Sequence, residues 1–343
     1  MKSKLFQRRR ATSALLLAGA AMLSIPPGAR AASNRVGSYQ KRDDVREFIA
    51  SLVRRHGFSA EQLSRSFAQV RRQSDALRLI APATSGFKRS WSAYRARFID
   101  QSRIEGGIEF WNQYRAALER AASIYGVPAE VIVAIIGVET IYGRVTGGFP
   151  VLDTLTTLAF DYPRRAEFFR GELESYLLLG RDGVLDLTDT KGSYAGAIGL
   201  PQFMPSSIRR FAVDFDKDGR IDLRNSAVDA IGSVARFLVE HGWVPGAQSH
   251  YRARIEANAQ LGPLIAQGIE PSFNAAQLSG SGVGVVGNVP EGTRLALVDL
   301  PNGDDPPDYL LGARNFYVVT RYNRSSFYAT AVLELAQELR AGR

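Results

Sequence analysis

Residues 131–143 read VIVAIIGVETIYG. Apolar side chains cover every face of a helix drawn through 131–138, so this helix belongs inside the protein with others wrapped around it. Pro128 stands where a first helical turn tolerates proline, and the helix is expected to end near Gly143. Glu139 is the only ionisable side chain in the run apart from the Tyr142 phenol. Burial disfavours its carboxylate, and so does the negative end of the helix dipole. A carboxyl kept protonated near neutral pH can serve as a general acid. On the helix alone, a structural glutamate bonded to backbone or to an arginine fits equally well.

At 343 residues, 45% of them hydrophobic, the chain has ample material to bury such a helix. Helical spacing recurs through Val45, Phe48, Ile49 and Leu52, then through Leu63, Phe67 and Val70. A polar loop is expected at Thr84–Lys88, a short helical piece at Trp91–Ile99, and an amphipathic stretch at Phe110–Tyr125 closed by Gly126. Further helix is predicted at 164–179, 227–241 and 327–340. Glycines alternating with valines from Gly280 to Gly287, the turn-rich Pro301–Asp308 and the β-branched Phe316–Thr320 predict a small β-rich unit. The expected class is mainly α, with that β-rich addition.

The N-terminus reads as an export leader. Lys2, Lys4 and Arg8–Arg10 precede an apolar run at Ala14–Leu23, and Ala29-Arg30-Ala31 fits a cleavage site. The general secretory route is favoured over the twin-arginine route. Loss of residues 1–31 removes six cations and lowers the net charge from +9 to +3, which weakens a nucleic-acid reading. The chain has no cysteine, which excludes disulfides, thiolate metal sites, a cysteine nucleophile and a lipidated N-terminal cysteine. A soluble periplasmic monomer without a lipid anchor is expected.

Residues 192–207 read GSYAGAIGLPQFMPSS. Gly192, Gly196 and Gly199 allow sharp bends and close approach to a ligand. Ser193 and Gln202 offer neutral hydrogen-bonding groups, and Tyr194, Phe203 and Met204 offer apolar faces, a mixture that suits sugars. Composition alone also fits an ordinary loop. The order and spacing of GVETIYGR (137–144), TLTTLAFDYPRRAEFF (154–169), this glycine-rich block and VDAIGSVARFL (228–238) are specific. Together they closely resemble the lytic murein transglycosylase B family, from about Tyr94 to Tyr328.

The resemblance implies a lysozyme-like catalytic core at 126–245. A helical domain at 38–125, a small β-rich subdomain at 246–320 and a C-terminal segment at 321–343 that closes the site would flank it. It implies cleavage of the β-1,4 bond between N-acetylmuramic acid and N-acetylglucosamine in peptidoglycan, giving 1,6-anhydromuramoyl ends. Glu139 falls on the catalytic glutamate. Ser193 would contact the muramoyl residue and Gln202 a sugar near the cleaved link. Tyr94, in WSAYR, would line the groove, and Tyr322, Asn323 and Tyr328, in RYNRSSFY, would close the site around Glu139. Arg164 and Arg165 would meet anionic lactyl-peptide groups, unless they form only a solvated face. Glycosidases commonly use two carboxylates. An attacking C6 hydroxyl removes the need for the second, and Asp153, Asp161, Glu167 and Glu172 are read as helix caps or ion-pair members.

In DFDKDGRIDL (214–223), Asp214, Asp216 and Asp218 take positions 1, 3 and 5 of an EF-hand loop, with Gly219 at 6 and the Arg220 carbonyl at 7. Asn225 stands where the loop's closing glutamate belongs. The resemblance supplies a longer loop whose last ligand would be Asp229. A structural calcium ion is expected, against a solvated acidic turn, and no cofactor is expected for catalysis. The other functions weighed are a hydrolytic muramidase and a non-catalytic wall-binding protein. Partners in wall synthesis or remodelling would be compatible with any of these.

Overall fold

The computed structural model describes residues 39–82 and 88–343. The expected leader at 1–31 and residues 84–87 of the expected polar loop lie outside the described residues. After a 3-10 turn at Tyr39–Lys41 come α1 (Asp43–His56), α2 (Ala60–Gln69), α3 (Ser74–Ile80), α4 (Trp91–Arg95), α5 (Gln101–Gln113) and α6 (Arg115–Tyr125). Gly126 ends α6 in the left-handed conformation, at φ 66°. Then follow α7 (Ala129–Thr140), α8 (Val151–Asp161), α9 (Ala166–Arg181), α10 (Pro205–Phe211) and α11 (Ala227–Glu240). Two short strands, β1 (Phe149–Pro150) and β2 (Lys191–Gly192), pair antiparallel beside them.

Every residue of Val131–Val138 is buried. Six of these eight are β-branched, at a cost of roughly half a kcal/mol each in helix propensity. Burial returns about 1.5–3 kcal/mol per large apolar side chain, so packing decides the helix. α7 contacts α5, α6, α11 and the C-terminal helix α15 (Ser326–Ala341). It therefore sits at the centre of one continuous apolar cluster running from Tyr39 to Leu339.

A second cluster, with Tyr251, Leu264, Leu278, Val283, Leu295 and Leu311, underlies a four-stranded antiparallel sheet. Its strands are β3 (His250–Ile255), β4 (Val283–Val286), β5 (Ala296–Asn302) and β6 (Asp305–Gly312), in the order β4-β3-β6-β5. Short helices α12 (Leu261–Ala266) and α13 (Ala275–Gly280) pack on this unit. The sheet ends at Gly312, short of the expected 320. Phe316–Thr320 lies instead in α14 (Arg314–Asn323), where Phe316, Val318, Val319 and Thr320 are buried. A short apolar, β-branched run does not by itself separate strand from buried helix, and burial again overrides propensity. No single helix among the described residues is long and apolar enough to cross a membrane.

Candidate active site

Glu139 is the penultimate residue of α7, and the chain breaks sharply after it. Ile141 and Tyr142 both adopt left-handed backbone, at φ 51° and 58°. A β-branched residue there is a conformational outlier held by its surroundings. The surroundings are on hand. Thr140 Oγ1 donates to Leu200 O at 2.9 Å and accepts Gly143 N–H at 3.0 Å. Tyr142 folds back under the helix and donates to Arg103 O at 2.8 Å. Its ring fills a slot that exists because residues 107 and 137 are glycines. A Cβ at either would stand 2.4–2.5 Å from the Tyr142 hydroxyl.

The Glu139 side chain is partly buried. Tyr328 Oη donates to its Oε1 at 2.7 Å. Burial pushes the carboxyl up from 4.5 to about 7, and the Tyr328 hydrogen bond opposes that rise. Tyr328 is placed by a local device. Arg324 takes left-handed backbone at φ 45° to end α14, and Ser325 caps α15 by accepting Tyr328 N–H at 3.3 Å. This tight corner stacks Tyr322 on Tyr328, with centroids 6.0 Å apart and planes at 16°. Tyr322 in turn donates to Pro201 O at 2.6 Å, tying the corner to the glycine-rich block. Tyr94 packs between Trp91, Phe98 and Phe327. Burial raises its phenol, and the charge of Glu139 adds to the rise.

Two outcomes follow from this carboxyl. Tyr328→Phe removes the bond that stabilises the carboxylate, so Glu139 should titrate at higher pH. A pH–rate profile would show the alkaline limb moving up. The second outcome concerns stability. The folded state holds the Glu139 proton up to about pH 7, whereas the unfolded chain releases it near 4.5. The folded state therefore binds more protons between these values, and this residue's contribution to stability falls as pH rises through that window. The loss amounts to about 3 kcal/mol by pH 8. Denaturant unfolding of the wild type and Glu139→Gln should converge near pH 4 and separate by pH 8, with the variant more stable.

Ser193 and Gln202 lie on the wall facing the loop that follows α7. Ser193 Oγ accepts Ala195 and Ala197 N–H at 3.3 and 3.1 Å, leaving its own O–H to donate outward. Gln202 sits at φ 48° and donates through Nε2 to Thr146 O at 3.0 Å and Gly199 O at 2.9 Å. Its amide hydrogens are thus committed and its carbonyl end is left to accept. Asn323 is 6% exposed, and its Oδ1 has no protein partner among the described residues. Arg165 is half-buried over the Phe168 and Phe169 rings with Nη2 unpartnered; burial, with Arg324 nearby, pulls its guanidinium down. Arg164 is exposed and has no ion pair among the described residues.

Three of the other four carboxylates singled out in the sequence have structural work. Asp161 accepts from Tyr39, Arg42 and Arg72. Asp153 accepts Arg71 N–H at 3.2 Å, and Glu172 accepts both Ser206 N–H and Oγ–H at the start of α10. Glu167 is exposed.

Carboxylate oxygens of Asp214, Asp216 and Asp229 lie within 4.8 Å of one another. Asp218 is outside that group and accepts Arg220 N–H at 2.8 Å. Asp229, buried at the first turn of α11, accepts Phe215 N–H at 2.7 Å and Asp222 N–H at 2.8 Å, which closes the loop. Sequence reasoning missed Thr140, Tyr142 and the carbonyls of Thr146 and Pro201. Gly107 and Gly137 were the available signal for the Tyr142 slot, because glycine inside a buried helix often marks close packing.

One raised carboxyl held by a phenol lies beside an outward hydroxyl and an amide carbonyl, an arrangement able to give a single proton and to hydrogen-bond a polar ligand. The chain belongs to the family described as the transglycosylase SLT domain, which matches residues 40–337. It is 44% identical over 318 residues to the membrane-bound lytic murein transglycosylase B of Escherichia coli, covering 90% of this chain and 85% of that protein. The soluble lytic transglycosylase SltB1 of Pseudomonas aeruginosa superposes with a TM-score of 0.81 at 44% identity, over 88% of this chain and 99% of the other. Escherichia coli Slt35, a lytic transglycosylase solved in complex with calcium, gives 0.78 at 42% identity, over 90% of this chain and 96% of its own.

Proposed function

We propose that this transglycosylase cleaves the β-1,4 bond between N-acetylmuramic acid and N-acetylglucosamine in peptidoglycan strands, with Glu139 as acid and then base. The observation that carries the reading is the Glu139 carboxyl, raised to about 7 and bonded to Tyr328 at 2.7 Å. Protonated Glu139 gives its proton to the glycosidic oxygen as the bond to C1 breaks. The muramoyl N-acetyl group supports the developing positive charge at C1. The Glu139 carboxylate, stabilised by Tyr328, then takes the C6 hydroxyl proton as that oxygen bonds C1. The proton is returned, no water is consumed, and a 1,6-anhydromuramoyl end is left.

Ser193 donates to the muramoyl residue, and Gln202 accepts from a sugar hydroxyl through its free carbonyl. Tyr94 lines the groove, while Tyr322, Asn323 and Tyr328 close it around the carboxyl. Arg164 and Arg165 receive anionic lactyl-peptide groups, a role supported for Arg165 by its unpartnered Nη2. The core 126–245 carries the site, flanked by the helical unit 38–125 and the β-rich unit 246–320, and the segment 321–343 closes it. The protein acts as a monomer in the periplasm, exported by its leader, and wall-synthesis or remodelling proteins are compatible partners. Intact sacculi incubated with it should clear and release soluble muropeptides. Sacculi that stay turbid and release nothing would contradict the reading.

Asp214, Asp216 and Asp229, with Asp218 and the Arg220 carbonyl, would hold a calcium ion. The close approach of three carboxylates fits a divalent cation with oxygen ligands. Calcium supplies charge neutralisation that fixes the loop before α11. Millimolar calcium should raise the thermal midpoint by several degrees over chelator, and Asp214→Asn should abolish the rise. An unchanged midpoint would remove calcium from the account.

A further inference from the structure

The tip of the β5–β6 hairpin reaches the segment that begins α4. Asn302 Oδ1 accepts Ser92 N–H at 2.8 Å, and Asn302 Nδ2 donates to Asp308 Oδ2 at 3.1 Å. Ser90 and Asn302 form an isolated antiparallel bridge. Gly303 N–H donates to Arg89 O at 2.8 Å, and Lys88 pairs with Asp304. One turn further along α4, Tyr94 packs on Phe98 at 4.9 Å and Phe327 at 5.5 Å. Phe327 is the neighbour of Tyr328, and the Arg89 guanidinium lies 4.3 Å over its ring. α4 is a helix of five residues, too short to hold its own register. Its placement comes from the aromatic contacts and the Arg95–Glu334 ion pair to α15 on one side and the hairpin tip on the other.

We propose that Asn302 is a positioning residue for glycan binding, holding α4 so that Tyr94 lines the groove beside Glu139. Asn302 touches no substrate. It acts by accepting one N–H in the first turn of α4, while Asp308 fixes the orientation of its amide. This inference rests on the reading of Tyr94 as a groove residue. It gives the small sheet a part in substrate affinity that its separate apolar core would not suggest.

The test is a double-mutant cycle on soluble, uncrosslinked glycan strands, with kcat, KM and the pH–rate profile measured for each variant. Asn302→Ala should raise KM about fivefold while leaving kcat and the alkaline limb in place. Tyr94→Ala should raise KM at least as much, and adding Asn302→Ala to it should raise KM by less than about twofold more. Asn302→Asp combined with Asp308→Asn reverses the donor and acceptor while keeping the acceptor for Ser92, and should restore KM. Asn302→Ser, which shortens the reach to Ser92, takes the place of the alanine variant if that chain fails to fold. An unchanged KM in Asn302→Ala, or the same fold increase with and without Tyr94, would overturn the proposal. A Tyr94→Ala protein with normal KM would instead remove Tyr94 from the groove, and the role of Asn302 with it.

Discussion

Glu139→Gln should lower kcat about a thousandfold or more while leaving the fold intact, because positioned proton transfer contributes roughly 10²–10⁴-fold and the proposed mechanism asks one group for two transfers. Glutamine matches the carboxyl in shape, and its carbonyl can still accept the Tyr328 hydroxyl that now reaches Oε1 at 2.7 Å. It has no proton to give to the glycosidic oxygen and cannot take one from the C6 hydroxyl. KM should change little, since the groups on Ser193 and Gln202 proposed to bind sugar are untouched. The same substitution should stabilise the protein above neutral pH, as argued above from the raised carboxyl. Loss of rate joined to a gain in stability is the signature of a functional residue kept at a structural cost. A variant that kept wild-type kcat would remove Glu139 from the chemistry.

Gly147→Ala should destabilise the protein by about 3 kcal/mol or more and depress activity with it. Gly147 has φ 95°, and a Cβ there would stand 2.2 Å from Gly192 O and 2.6 Å from Ser193 N. Both neighbours are backbone, so no side chain can swing away. The loop after α7 would have to separate from the strand entering the glycine-rich block. That movement carries Ser193, and through Thr146 O it also disturbs Gln202. Gly183→Ala is the matched control. It has φ 75° with open space around it and should cost only about 1 kcal/mol, without effect on rate. Denaturant midpoints for the two variants separate the strain of a positive φ from the collision. Equal midpoints would show that the close approach of 147 to 192 is not maintained.

The parts of the site that read clearly in sequence are those with local causes. VIVAIIGV announces a helix buried on all faces, and a lone Glu139 near its end announces a raised carboxyl. Gly196 and Gly199, both at positive φ, announce the bent backbone around Ser193 and Gln202. The acidic loop was legible as a spacing from Asp214 to Arg220, whereas Asp229 came only from the family resemblance. What sequence did not show were contacts joining distant segments. Tyr328 and Glu139 are 189 residues apart, and Asn302 and Ser92 are 210 apart. Tyr328 was found only by family resemblance, and Asn302 not at all, because an asparagine at a strand end reads as ordinary turn chemistry. β3 was missed although Tyr251, Ala253 and Ile255 alternate with His250, Arg252 and Arg254, the pattern of a strand with one face on the core; at six residues the signal is short. Phe316–Thr320 was misread because burial within α14 outweighs β propensity.

The central claim is that one carboxyl passes a proton out and back while an internal hydroxyl, not water, takes C1. Digestion of purified sacculi in water enriched in the heavy oxygen isotope, followed by mass spectrometry of the muropeptides, tests this directly. The account predicts 1,6-anhydromuramoyl ends, lighter than reducing ends by one water and carrying no heavy oxygen. Reducing muramic ends labelled at C1 would contradict it and make the protein a hydrolytic muramidase.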